Sequence, residues 1–251
     1  MFEVAAENYG RFMGRFSEPL AAVFADEIDL RQGQRVLDVG CGPGALIEQL
    51  VTRAGAPTVS AVDPSAAFVD AARRRFPDVD IQRAFAEELP YADHTFEAVL
   101  AALVVHFMSD PVAGLREMGR VTRPGGAVAA CVWDYAGGGS PLSAFWQAVT
   151  DLDPGAATES KLAGARQGHL VELCRAAGLR DVVEGYLTVA VPMASFDEWW
   201  EPFTLGVGPA GVHVKGLDDA GRDLLRERCR ELLPPAPFEV SASAWSVTAV
   251  S

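Results

Sequence analysis

The chain has 251 residues, 49% of them hydrophobic and 22% charged, with a formal net charge of −13. That apolar content can bury a full core, and α/β chains of this length commonly form one domain. The acidic balance supplies no basic field for counterion release from nucleic acid or for docking on anionic lipid, so neither nucleic acid nor a membrane is expected as a partner.

No apolar run approaches the roughly 20 residues needed to span a bilayer, and the opening MFEVAAENYGRFMGRF carries acid where a signal peptide carries basic residues. A cytoplasmic protein is expected. Cys41, Cys131, Cys174 and Cys229 lie far apart with no C-x-x-C pair, which predicts reduced thiols and neither a zinc site nor a disulfide framework.

The first segment, Ala5 to Ile28, has Tyr9, Phe12, Phe16, Leu20 and Phe24 at helical spacing, with Gly10, Gly14 and Pro19 expected to break it. Strands and helices then alternate. RVLDVG reads as a strand, ALIEQLVTRAG as a helix stopped by glycine, and TVSAVD as a second strand. SAAFVDAARRRFP reads as a helix, DIQRAFA and FEAVLAAL as strands three and four, DPVAGLREMGRV as a helix, and GGAVAACVW as a fifth strand after the turn signal RPGG. Such alternation predicts a parallel sheet with right-handed crossovers.

Past Trp133 the rhythm changes: AGGGSP, a helix at Ser143 to Leu152, a helix HLVELCRAAG, the strand-like EGYLTVAVPM, a helical insert, and a final strand SASAWSVTAV. The expected organisation is one domain over residues 1–251, with a helical cover at 1–30, a cofactor-binding core at 31–135 and a substrate-side half at 136–251. The insert near 195–235 would cap that half.

In Val36-Leu37-Asp38-Val39-Gly40-Cys41-Gly42-Pro43-Gly44, glycines at alternate positions after a buried strand let the backbone turn beside a ligand. Nicotinamide and flavin enzymes use G-x-G-x-x-G at this place for a pyrophosphate. Here the spacing is G-x-G-x-G, and Asp38, two residues before the first glycine, stands where it could meet an ammonium group. Asp63 ends the second strand in AVDPS, the position from which a carboxylate reaches the two hydroxyls of a ribose.

With ELPYADHTFEAV, VVHFMSDP and RPGG following in order, residues Arg35 to Trp133 resemble the class I S-adenosylmethionine-dependent methyltransferases, in the type 11 small-molecule branch that includes quinone-biosynthesis C-methyltransferases. The resemblance implies a Rossmann-like fold with a mostly parallel seven-stranded sheet, helices on both faces and a helical cap. It implies S-adenosylmethionine as cofactor, S-adenosylhomocysteine as product, and a small-molecule methyl acceptor. By the same resemblance Gly40, Cys41, Gly42 and Asp63 line the cofactor site, with Pro64, Ser65 and Phe68 near the adenine. Ala101 would offer its carbonyl to the ammonium, Leu103 would lie over the methionine portion, Tyr9 would cover the sulfonium and Arg15 would pair with the methionine carboxylate.

One departure stands out: the family usually has an aspartate four residues before its Leu-Pro, and this chain has Phe85. In its place the Ala86 N–H would meet a ring nitrogen, Glu87 would accept from the amino group and Phe85 would supply apolar or stacking contact.

Methyl transfer from a sulfonium is an in-line displacement that mainly requires alignment and exclusion of water. A base helps where the acceptor is an un-ionised hydroxyl or acidic carbon, and His106 is the candidate, with His213 behind it. The four histidines show no ligand spacing, so no metal is expected. Trp133, Tyr135, Phe145, Trp146, Trp199, Trp200 and Phe203 are candidates to line an apolar acceptor pocket. The insert's aromatics are equally candidates for a homodimer interface, in which case Trp199 and Trp200 would be buried only in the assembly. Two other readings share the motifs: a noncatalytic cofactor-binding partner, and an enzyme using the cofactor for another reaction.

Overall fold

The computed structural model describes residues 10–251. A π-helical turn at Gly10–Gly14 runs directly into helix α1 (Arg15–Ala25), with Gly14 itself helical at φ −56° and ψ −39°, so the breaks expected at Gly14 and Pro19 do not occur and the helix runs through both. Pro19 sits in the second turn, where its missing N–H costs one bond to Arg15. Burial of Phe16, Leu20 and Phe24 against the sheet side holds the helix together.

Strand β1 (Val36–Val39) is buried at every position, and β2 (Val59–Asp63), β3 (Asp80–Arg83), β4 (Phe96–Ala102) and β5 (Thr122–Trp133) join it in parallel. Continuous apolar strands of this kind require cover on both faces. Helices α2 (Ala45–Ala54), α3 (Ala66–Arg75) and α4 (Pro111–Val121) supply part of it. Gly55 stops α2, and the side chains of Ser65 and Asp110 cap α3 and α4.

The chain then adds α5 (Ser143–Leu152), α6 (His169–Ala176) and β6 (Arg180–Met193). The insert follows as α7 (Phe196–Trp200), α8 (Gly208–Gly216) and α9 (Asp219–Leu232), and β7 (Phe238–Val250) closes the sheet. The order is β3-β2-β1-β4-β5-β7-β6, with β7 antiparallel to both neighbours. This is the Rossmann-like sheet expected from the sequence.

The RPGG segment is not a turn ahead of β5 but part of it. Thr122 pairs with Phe96 and Ala127 with Ala98, so the extra residues form a bulge in which Gly125 takes a φ of 78°. Pro124 is tolerated there because a bulged residue owes the ladder no N–H.

Two apolar layers flank the sheet. One contains Leu37, Val99, Leu115 and Met118, and the other contains Phe24, Ile47, Phe145 and the insert's Trp199 and Phe203. The insert shares the second layer with the N-terminal segment: Phe203 stacks on Phe145 at 4.6 Å and meets Phe12 edge-on at 5.2 Å. None of the described helices is long and apolar enough to cross a membrane.

Candidate cofactor site and acceptor pocket

Strand β1 delivers Asp38 to the carboxyl end of the sheet and hands the chain to a loop where Gly40, Gly42 and Gly44 all have positive φ. Each has its own reason. A Cβ on Gly40 would run into the Val104 side chain and one on Gly44 into the Phe76 ring, whereas Gly42 faces open space. The N–H groups of Gly40 and Cys41 donate to the Val62 carbonyl at 2.8 and 3.0 Å, tying the loop to β2.

Asp63 completes that tie. Its two carboxylate oxygens accept from the N–H of Gly42 at 2.9 Å and of Ser65 at 2.8 Å. Burial raises its pKa, and those two backbone donors oppose the rise. Asp38 is 1% exposed, and its Oδ2 has no hydrogen-bond partner among the described residues. Burial, then the Asp63 charge, hold the Asp38 carboxyl well above the ordinary range. A buried acceptor without a donor is costly. A cationic ligand group would relieve that cost, and an anionic one would aggravate it.

Beside this loop opens a cavity of about 720 Å³. Gly40, Pro64, Ser65, Phe85, Ala86 and Glu87 are in its wall, together with Val104 and Phe107. Six residues expected at the cofactor are thus brought around one space. Phe85 is 63% exposed at its mouth. Glu87 is not a free surface charge: its Oε1 accepts from the N–H groups of Ser109 at 2.7 Å and Asp110 at 3.2 Å, pinning the start of α4. Cys41, Phe68 and Ala101 are buried, and Ala101 pairs with Ala130 inside the sheet.

Leu103 follows β4 with a φ of 59°, unusual for a branched side chain. Its N–H is held by the Cys131 carbonyl at 2.9 Å. Leu103, His106, Phe107, Trp133, Tyr135 and Glu159 are in the wall of a second, narrow cavity of about 40 Å³. Phe107 belongs to the walls of both cavities and so stands between them.

His106 is 8% exposed, and its Nδ1 has no hydrogen-bond partner among the described residues. Its ring lies 3.9 Å from Phe107 and 5.7 Å from Tyr135, and burial pulls its pKa down to about 3. The imidazole is therefore neutral near pH 7. His213 lies outside this wall, with its ring 6.1 Å from those of Phe145 and Trp146.

Several expected residues stand elsewhere. Tyr9 lies outside the described residues. The Arg15 guanidinium is turned to the insert, donating to Met193 Sδ at 3.1 Å and to the Glu198 carbonyl at 3.4 Å. Trp199 and Trp200 are buried within a single chain, packed on Phe196 and Phe203, so their burial does not wait for an assembly. Trp199 and Phe203 border a crevice of about 10 Å³ that shares Phe12 and Leu142 with the wall containing Trp133 and Tyr135, but neither lines that wall itself. Trp146 takes part indirectly, because its indole donates to Glu159 Oε2 at 2.7 Å.

Glu159 is the site residue that sequence reasoning missed. It is 4% exposed, and burial raises its pKa to about 7 against the opposing Trp146 hydrogen bond. Nothing in the surrounding GAATESKLAG marks it, since its environment is built by residues distant in the chain. Among the described residues no cluster of His, Cys, Asp and Glu could hold a metal ion.

The strand order, glycine loop and paired acids at the ends of β1 and β2 define the class: a Rossmann-like fold of the class I methyltransferase type. Residues 37–130 match the family model described as "Methyltransferase domain", in the type 11 branch. The chain is 32% identical over 151 residues to a demethylmenaquinone methyltransferase of Renibacterium salmoninarum, covering 60% of this chain and 63% of that protein. It spans about half the length of others it matches. Among solved structures it is similar to the "Phospholethanolamine N-methyltransferase 2" of Haemonchus contortus, solved with phosphomonomethylethanolamine and S-adenosylhomocysteine (TM-score 0.59, 17% identity, 98% of this chain and 56% of that one). It is also similar to the [4+2]-cyclase SpnF (TM-score 0.57, 22% identity, 93% of this chain and 81% of that one). At these identities the structural likenesses establish the fold, and residues 37–130 carry the methyltransferase-domain signature.

Proposed function

We propose that this protein transfers a methyl group from S-adenosylmethionine to a small apolar or aromatic acceptor. The observation that carries the cofactor assignment is the orphaned, buried Asp38 oxygen just ahead of a glycine loop whose Gly42 opens onto free space. Such a carboxylate suits a ligand ending in an ammonium group. The names of the sequence relatives point the same way.

In this reading Asp38 and the loop Gly40, Cys41 and Gly42 hold the amino-acid end, and Asp63 holds the ribose hydroxyls. Pro64, Ser65, Phe85 and Ala86 border the adenine, with Glu87 pinning the loop beside it. Bound S-adenosylmethionine supplies an electrophilic methyl on a sulfonium. The chain's part is to place the acceptor in line with that methyl and to keep water out. Leu103, Phe107, Trp133 and Tyr135 form an apolar passage suited to that role, and the neutral His106 can orient the acceptor through its unpaired nitrogen. For Arg15 to reach a methionine carboxylate it would have to leave Met193 and Glu198.

A second reading has a specific observation behind it: the fold also serves a protein named as a cyclase, and fold alone does not fix a reaction. Calorimetric titration with S-adenosylmethionine and S-adenosylhomocysteine, beside NADH and an Asp63→Ala variant, tests the cofactor. Saturable binding of the first two, weakened about tenfold or more in the variant, is expected. Binding of NADH instead, or of nothing, overturns the assignment. A mass gain of one methyl in an acceptor screen then separates transfer from cyclisation.

A further inference from the structure

We propose that Glu159, held by Trp146 in the wall of the acceptor cavity, receives the proton from a phenol-type hydroxyl on the acceptor. This deepens the methyltransferase reading and rests on it.

Glu159 opens a short turn, Glu159–Lys161, is buried, and shares a cavity wall with Phe12, Phe107, Trp133 and Tyr135. The Trp146 indole is its hydrogen-bond donor among the described residues, and it engages Oε2, leaving Oε1 to a ligand. No ion pair includes it among the described residues. A carboxyl in apolar surroundings without a cation is expensive, and one that merely packed could be replaced by an apolar side chain at a gain. Its burial is intelligible if a ligand completes its hydrogen bonding. The walls facing it, Phe12, Phe107, Trp133 and Tyr135, suit a flat aromatic body, and the one acid among them suits a donor on its edge.

Of the two titratable groups able to accept a proton there, the histidine is the poorer. Burial keeps His106 neutral down to about pH 3, while Glu159 sits at about 7, where a general base works best. The other titratable and charged groups near it are Tyr135 across the cavity, Lys161 on its own turn, and His213 of α8, whose ring faces Trp146.

The step balances without a further reactant. The hydroxyl proton passes to Oε1 as the oxygen–methyl bond forms and the methyl–sulfur bond breaks. The bonding pair returns to sulfur, giving a neutral thioether, and the proton then leaves Glu159 for water. The cavity of about 40 Å³ is smaller than the roughly 150 Å³ that holds a benzene ring, so side chains must part and a small probe is appropriate.

The test is calorimetric titration of phenol into the protein saturated with S-adenosylhomocysteine, from about pH 5.5 to 8.5, where a phenol of pKa about 10 stays neutral. Wild-type affinity should rise about tenfold across that range as Glu159 ionises, since a charged acceptor roughly doubles the strength of such a bond. Glu159→Gln keeps an oxygen for the Trp146 N–H, so it should keep its near-ultraviolet dichroism and its S-adenosylhomocysteine affinity. Its phenol affinity should stay at the low-pH level at every pH. A flat wild-type profile, no phenol binding, or a slope persisting in Glu159→Gln overturns the proposal. Failure of S-adenosylhomocysteine to bind wild type overturns the cofactor reading instead.

Discussion

The two halves of the molecule solve opposite problems. The side proposed for the cofactor, from β1 to the start of α4, is built of strand ends and backbone donors around a cavity of about 720 Å³, with two buried acids beside it. The side proposed for the acceptor is built of rings packed on rings, from Phe12 through Phe145 to Phe203, beside a cavity of about 40 Å³. One half places polar groups by local chain geometry, and the other places apolar ones by tertiary packing. The first half can therefore be pre-formed, while the second has to yield to whatever enters it.

The largest effect should come from opening the packed half. Phe203 is 2% exposed and touches Phe12, Phe145 and Trp199. Phe203→Ala should cost about 3–5 kcal/mol of stability, the usual range for truncating a buried ring, measured by urea unfolding. If the halves are independent, its S-adenosylhomocysteine affinity should stay within about twofold, because sites without shared contacts behave additively. A tenfold loss would show that the packing of the insert shapes the cofactor loop.

The polar half should respond in the opposite sense. Asp38→Asn removes a charged acceptor and should weaken S-adenosylhomocysteine binding about tenfold to a hundredfold, equivalent to roughly 1.5–3 kcal/mol. Without ligand, the same change should help. Because the folded pKa of Asp38 lies well above its ordinary value, the folded state binds more protons than the unfolded one between those two values. Stability therefore falls as pH rises through that window. As pH rises above the ordinary aspartate value, the unliganded asparagine variant should therefore lose less thermal stability than the unliganded wild type, in a differential scanning series. Equal slopes would mean that Asp38 is already partnered.

The same contrast explains what was legible in the sequence. The glycine loop, the burial of Asp38 and Asp63 at strand ends and the parallel strands could be read because they follow from neighbours within a few residues: a buried strand, a tight turn, a helix start. The Phe85 departure was legible for the same reason. The bulge at RPGG was not, since a Pro-Gly-Gly reads as a turn unless the strand pairing on both sides is known. Trp199 and Trp200 show the limit of composition: large rings line pockets and fill cores alike, and only the positions of Phe196 and Phe203 decide between them. Glu159 was invisible for a stronger reason. Its hydrogen-bond donor, Trp146, lies across a loop, and the cavity it borders is completed by Phe12, by the segment after β4, by β5 and by the insert.

The smallest effect should be found where the cofactor side is most exposed. Phe85 is 63% solvent-accessible at the cavity mouth, so its removal forfeits little packing in the unliganded protein. Phe85→Ala should change stability by no more than about 0.5 kcal/mol, as for other surface substitutions. If its ring lies against the adenine, S-adenosylhomocysteine binding should weaken by roughly 0.5–1.5 kcal/mol, about twofold to tenfold. Methylthioadenosine, which keeps the adenine but lacks the amino-acid end, should lose the same factor in calorimetry, whereas Asp38→Asn should leave its affinity unchanged. A Phe85 variant that binds both ligands as wild type does would move the adenine contact to Ala86 and Glu87, and would mean that this exposed ring contributes nothing to a site otherwise made of strand ends.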